Sequence, residues 1–423
     1  MGVRARYRFA VRITAALLLA AAPALCGCSS ARQGLVFSFW GDENEIANYK
    51  RMVARFEELH PDIHVKMEHI PRSYEDKIMA ELAGNAAPDV MVFQDEPLPM
   101  FASRGVFRPL DDLIERDGID LDEFFPQCVQ GHTYNGHIYG LPKDGGAVVL
   151  FYNKRLFDEA GLDYPNEDWT WDDFLAAAKA LTRDNDGDGQ IDQCGTQVSA
   201  WWAYWLIPIW SAGGRFLNEE RTECVVNSPE ALRGIRWYAE LRTKHKVVPE
   251  PGQLEGVADA FQAGKIAMQF TGPWSVISLR DIESFQWDVT FVPKGPAGRW
   301  TRYTGDAYCM WAGTRRVEDA WTFIKWMSGE EASKMNALAQ RAVPARKAIA
   351  NSDIYIREDT PWDESVFVRA FEHARVQPIT TKWGEMNTLA NQVFEKVLLQ
   401  KITPEMAVRT LDEEIDKMLS EPD

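Results

Sequence analysis

Tryptophans and carboxylates recur together along this chain, and side by side they could hold a polyhydroxyl ligand. Trp40 closes an apolar run and is followed at once by Asp42 and Glu43. Asp95 and Glu96 end a second such run, and Asp144 follows Leu141-Pro142-Lys143. Trp201-Trp202-Ala203-Tyr204-Trp205 places four aromatic rings in five residues. One helix face cannot bury all four, so at least one ring faces solvent or a cleft, with Trp202 and Trp205 as the candidates. Aromatic rings stack on apolar C–H faces, and carboxylates accept hydroxyl protons. Asp306, after Thr304-Gly305, is a further candidate of the same kind. The competing role is a solvated turn for each carboxylate and a place in the core for each ring. The seven histidines are scattered and form no cluster.

A different chemistry is offered by Asp184-Asn185-Asp186-Gly187-Asp188-Gly189-Gln190-Ile191-Asp192. Carboxylates fall at positions 1, 3, 5 and 9 of an EF-hand-type calcium loop, with Gln190 offering its backbone carbonyl at position 7 and Gly189 at position 6. The bidentate Glu of position 12 is missing, because Gly195 stands there. A structural calcium ion and an Asx/Gly-rich turn are the two alternatives. Cys128, Cys194, Cys224 and Cys309 are widely spaced and form no zinc pattern. Cys194 and Cys224 flank the Trp-rich segment and could bridge; four free buried thiols are the alternative.

These residues need elements to position them. Leu35 to Trp40 predicts a buried strand, Ile46, Tyr49, Val53, Phe56 and Leu59 a helix, and Ile63, Val65 and Met67 a second strand. A helix over about Tyr74 to Leu82 and a buried strand from Val90 to Phe93 follow, and such alternation predicts parallel pairing in an α/β lobe. The same grammar resumes with a strand from Ala147 to Tyr152, a capping box at Thr170-Trp171-Asp172-Asp173 and a proline-led helix at Ser228-Pro229. Two α/β lobes place a ligand cleft between them. With 423 residues, two lobes are also what chain length predicts, and 63 acidic against 46 basic side chains argue against a nucleic-acid surface.

The N-terminus reads as a targeting segment. Arg4, Arg6, Arg8 and Arg12 precede an apolar run from Ile13 to Leu25, too short to span a bilayer. Leu25-Cys26-Gly27-Cys28 looks like a bacterial lipobox, with Cys28 as the acylated residue; an ordinary secretory signal is the alternative. Residues 1–27 would then be the lipoprotein signal peptide and 28–34 a linker, and loss of four arginines takes the charge from −17 to −21.

Several blocks, in order, give the chain a resemblance. Phe37 to Trp40, Pro88-Asp89-Val90, Leu150-Phe151-Tyr152-Asn153-Lys154 with Ala160-Gly161-Leu162, Trp169-Thr170-Trp171-Asp172-Asp173-Phe174, Gly264-Lys265-Ile266-Ala267-Met268 with Gly272-Pro273-Trp274, and Ala320 to Met327 are similar to the sugar-binding group of extracellular solute-binding proteins of ABC importers, the group of maltose-binding protein. The resemblance implies a two-lobed type II periplasmic-binding fold with three crossings, near Leu141–Asp144, Phe291–Lys294 and Val343–Ala345, each containing a proline. The N-lobe would be 35–141 and 295–342, and the C-lobe 142–294 and 343–423. It further implies that Trp274 and Trp383 stack on sugar. The implied function is capture of a carbohydrate, an oligosaccharide, by lobe closure and its delivery to the permease subunits. The resemblance also implies no enzymatic activity and no required cofactor, and an exported monomer, lipid-anchored on the outer face of the cell membrane or in the periplasm. The rival readings are a glycosidase with a carboxylate pair, and the same fold taking an anion such as glycerol phosphate, for which Arg302 and Arg341 are the available cations.

Overall fold

The computed structural model describes residues 34–254 and 256–421. The signal segment, Cys28 and its linker fall outside the described residues apart from Gly34. Strand β1 (Leu35–Phe39) is buried along its whole length, as its unbroken apolar sequence requires. It pairs in parallel with β2 (Val65–His69) and β3 (Val90–Gln94), Phe37 opposite Met67 on one side and Val90 on the other. Helix α1 (Glu43–Leu59) and helix α2 (Tyr74–Ala83) make the two connections. The Asp42 carboxylate caps α1 by accepting from the backbone N–H groups of Asn44 and Glu45 at 2.9 and 3.0 Å, an arrangement worth about 1 kcal/mol.

After a short hairpin, β4 (Thr133–Tyr134) with β5 (His137–Ile138), the chain enters β6 (Gly140–Ala147), every residue of which is buried. The main sheet runs β11-β6-β10-β3-β1-β2, where β10 is Thr301–Met310 and β11 is Val343–Pro344. Strand β10 is antiparallel to both β3 and β6, and its first residues also pair in parallel with β12 (Ala374–Arg375). The second sheet is β8-β7-β9, formed by β7 (Val149–Asn153), β8 (Met268–Thr271) and β9 (Trp287–Thr290). Here the pairing is antiparallel throughout, not the parallel order that the repeated grammar predicts. A strand buried on both faces has the same apolar sequence in either direction, so pattern alone does not fix the order.

The expected strand from Ala147 to Tyr152 is divided. β6 ends at Ala147, the Val148 N–H donates to the Arg302 carbonyl at 3.2 Å, and β7 begins at Val149 in the other sheet. Ahead of β10, Lys294 bridges to Thr170, Ala297 donates to the Ser211 carbonyl, and Trp300 packs on the cluster that holds Trp205, Phe216 and Trp383. The later helices include α3 (Trp171–Ala180), α4 (Trp202–Ser211), α5 (Pro229–Thr243), α6 (Trp383–Leu398) and α7 (Pro404–Ser420). The capping box of α3 is complete, with reciprocal Thr170 and Asp173 bonds. Among the described residues no helix is long and apolar enough to cross a membrane.

Candidate functional site

The site grows out of the β6–β10 pair. Its register sets Asp144 directly opposite Asp306, and a bulge follows between Asp306 and Ala307. Facing carboxylates repel, and the neighbouring Lys143 answers them. Its ammonium lies 3.0 Å from Asp144 Oδ2, 3.6 Å from Asp306 Oδ2 and 2.9 Å from Glu45 Oε1 on α1, above the Tyr49 ring. Arg341 pairs with the other oxygen of Glu45. Lys143 is 3% exposed. Burial alone would lower its pKa, but the carboxylates, Asp144 foremost, outweigh it and hold the ammonium charged. Burial pushes Asp306 up to about 7, against the pull of Lys143 and with the repulsion of Asp144 and Asp95.

Asp95 and Glu96, adjacent in sequence, have different surroundings. Asp95 is 1% exposed; it accepts from the Gly305 N–H at 3.1 Å, from Thr304 Oγ1 at 3.3 Å and from Arg302 at 3.3 Å. Arg302 in turn donates to Gln377 at 2.6 Å. Asp95 is thus spent on holding β10. Glu96 faces the cleft, accepts from Asn387 of α6 at 2.9 Å, and is pushed up to about 7 by burial, with Arg302 opposing.

Around these groups lies a cavity of about 270 Å³. Glu96, Asp144, Asp306, Gln94, Thr304 and Arg341 supply its polar wall, and Trp201 and Trp274 its aromatic wall. Gly145 and Gly146 form part of the floor. A Cβ on Gly146 would come within 2.7 Å of Pro273 and 3.4 Å of Trp274, so the missing side chain is what admits the Gly272-Pro273-Trp274 turn. Trp274 follows β8 in a short 3-10 turn, half-buried. Trp201 caps the start of α4, 39% exposed, its ring edge-on to Tyr204 at 5.1 Å. A larger hollow of about 450 Å³ lies outside the cleft, where Arg236 and Glu240 of α5 face Gln400 to Met406; it has no aromatic wall.

Other candidate residues lie elsewhere. Trp205 and Trp383 are core residues, each 1% exposed, packed on Phe216 with centroids 5.2 and 5.6 Å away. Trp205 also donates to Asn391 at 3.1 Å. Trp202 opens α4, and its side chain lies outside the described residues. Trp40 is half-buried, edge-on to Tyr74 at 4.8 Å, and does not line the cavity. Asp42 is spent on the α1 cap, and Glu43 is exposed in the first turn. Lys143, Gln94, Gly145 and Gly146 were not candidates from sequence. The only local signal was a charged pair, Lys143-Asp144, beside Leu141-Pro142.

Cys194 and Cys224 are separate free thiols, which corrects the bridge. Cys194 is held beside β8 by backbone bonds with Lys265 and Ala267, while the Cys224 N–H donates to Asp416 of α7 at 2.6 Å. Burial pushes both thiols up to about 12. In the 184–192 loop, Asp184, Asp186 and Asp188 each bring an oxygen within 4.8 Å of the others, all exposed. Asp184 accepts from Gly187 and Gly189 at 2.7 and 2.8 Å, and these backbone donors hold its carboxyl below the usual range. The Gln190 side chain donates to Asp188, and Asp192, which stands outside this close group, accepts from the Asn185 N–H.

A two-lobed α/β protein with an aromatic and acidic cleft beside its crossing strands is a ligand-binding fold, and comparison with known proteins agrees. Residues 40–334 match the bacterial extracellular solute-binding protein family, and the chain belongs to that family. A putative binding protein of Brucella abortus is 25% identical over 385 residues, 88% of this chain and 89% of the relative. The galactooligosaccharide-binding protein of Bacillus subtilis is 25% identical over 401 residues, covering 90% and 88%. An ABC substrate-binding protein of Listeria monocytogenes, solved in complex with cycloalternan, superposes with a TM-score of 0.83 at 29% identity, over 92% of this chain and 99% of that one.

Proposed function

We propose that this protein captures an oligosaccharide in the cleft between its lobes and delivers it to an ABC importer permease. The observation that carries the reading is the pairing of Trp201 and Trp274 with Glu96, Asp144 and Asp306 around one cavity. Rings take the C–H faces of a sugar, and the carboxylates and Gln94 take its hydroxyls. The galactooligosaccharide and cycloalternan ligands of similar proteins agree with it. Lobe closure on the ligand is the working step, driven by the higher affinity of the closed state. No covalent chemistry is required, and the family is one of binding proteins.

An anionic solute fits this wall poorly. Arg341 is the cation among the lining residues, and Glu45 already engages it; Arg302 is fully buried against Asp95. Export with an acyl anchor on Cys28 belongs to the same proposal and rests on the Leu25-Cys26-Gly27-Cys28 block. A structural calcium ion at Asp184, Asp186 and Asp188 also belongs to it, supported by the approach of three carboxylates that otherwise repel. A thermal-shift screen against neutral oligosaccharides tests the central part, since a ligand that binds only the native state raises its melting temperature. Release of shorter sugars during incubation would instead favour the glycosidase.

A further inference from the structure

The cleft holds more negative charge than its cations answer. Lys143 serves Glu45, Asp144 and Asp306, Arg341 serves Glu45, and Arg302 serves Asp95. Glu96 has a neutral donor, Asn387, as its hydrogen-bond partner, with Arg302 acting on it only as a nearby charge. Among the described residues, three cations therefore face five carboxylates: Glu45, Asp95, Glu96, Asp144 and Asp306.

The surplus is on the cavity wall, where Glu96, Asp144 and Asp306 meet the ligand space. Burial raises both Glu96 and Asp306 to about 7, as carboxylates short of counter-charge should be. Closing on a neutral sugar removes more water from these groups and supplies no positive charge. The same cavity has two indole rings, and an indole attracts a cation as well as stacking on a sugar face. Acidic wall and aromatic wall together therefore call for one ligand charge.

Building on the oligosaccharide reading, we propose that the preferred ligand is an amino sugar, an oligosaccharide bearing at least one unsubstituted, protonated amine. The ammonium would sit beside Glu96, Asp144 and Asp306 while the rest of the ring stacks on indole. N-acetylation of the same sugar removes the charge and leaves the ring hydroxyls.

The test is calorimetry on the mature chain at neutral pH with three trisaccharides: the β-1,4 trimer of glucosamine, its N-acetylated form, and maltotriose. The amine form should bind at least about tenfold more tightly than its acetylated counterpart. That ratio should shrink as salt is raised and shrink again in Glu96→Gln, which keeps the shape and removes the charge. Asp306→Asn carries the same expectation and serves if Glu96→Gln does not fold. If the acetylated trimer or maltotriose binds as tightly as the amine, the charge proposal is overturned while the oligosaccharide reading stands. If none of the three binds, both are overturned.

Discussion

Replacing Lys143 by methionine keeps the length of the side chain and removes the charge that lets three carboxylates share one buried space. The ammonium contacts Glu45, Asp144 and Asp306 within 3.6 Å, at 3% exposure. Glu45 retains Arg341, so Asp144 and Asp306, opposite each other in the β6–β10 register, bear the loss. Breaking a buried ion pair by removing one partner costs about 3–5 kcal/mol, which is a large share of a typical folding stability. The cost should depend on pH with a definite sign. Asp306 already has a folded-state pKa near 7, above its unfolded value. A group raised in this way binds more protons when folded, so the stability it contributes is full below the unfolded pKa and lost as pH rises through the folded one. Losing Lys143, whose charge opposes that shift, raises the folded value of Asp306 further. Lys143→Met should therefore be destabilised by about 3–5 kcal/mol at about pH 8 and by much less at about pH 5. Urea unfolding of both proteins at the two pH values measures this, provided the m-values agree. A loss below about 1 kcal/mol, or one that does not change with pH, would refute the role given to Lys143.

Trp383→Ala should cost about 3–5 kcal/mol of stability by opening a cavity between α6 and Phe216; a variant of wild-type stability with lost sugar affinity would return Trp383 to the cleft. Cys28→Ala should move the protein from the membrane to the soluble fraction, because the acyl chains are the proposed anchor; a variant that still pellets with membranes would disprove the lipobox. Chelator should lower the melting temperature, and calcium should restore it much better than magnesium, with Asp186→Ala plus Asp188→Ala abolishing the response. A chelator-insensitive melting curve would leave the 184–192 segment as a turn held by the Gly187 and Gly189 donors.

Local features were legible in the sequence because their causes are local. The apolar Leu35–Phe39 run is a buried strand, and Thr170 and Asp173 form the capping box their spacing requires. The parallel order of β1, β2 and β3 was legible from strand–helix alternation, but pairing between segments further apart was not. Asp144 and Asp306 become neighbours only through the β6–β10 register, 162 residues apart in the chain, and that register also brings the buried Lys143 between them. The indoles divide for a related reason. Trp201 is outside the helix it caps and stays at the cleft, whereas Trp205 and Trp383 are drawn into a core built by α4, α6 and the Phe216 segment. Whether a tryptophan stacks on ligand or on phenylalanine depends on which helices meet it, and a one-dimensional pattern does not contain that.

The most direct test of the account is a calorimetric titration of saccharides into the wild-type protein and Trp274→Ala. The wild type should bind an oligosaccharide saturably, and the variant should lose about 2–4 kcal/mol, with its fold intact because the ring is half-buried at the cleft. Unchanged affinity in a folded Trp274→Ala, or no saccharide binding by the wild type, would contradict it.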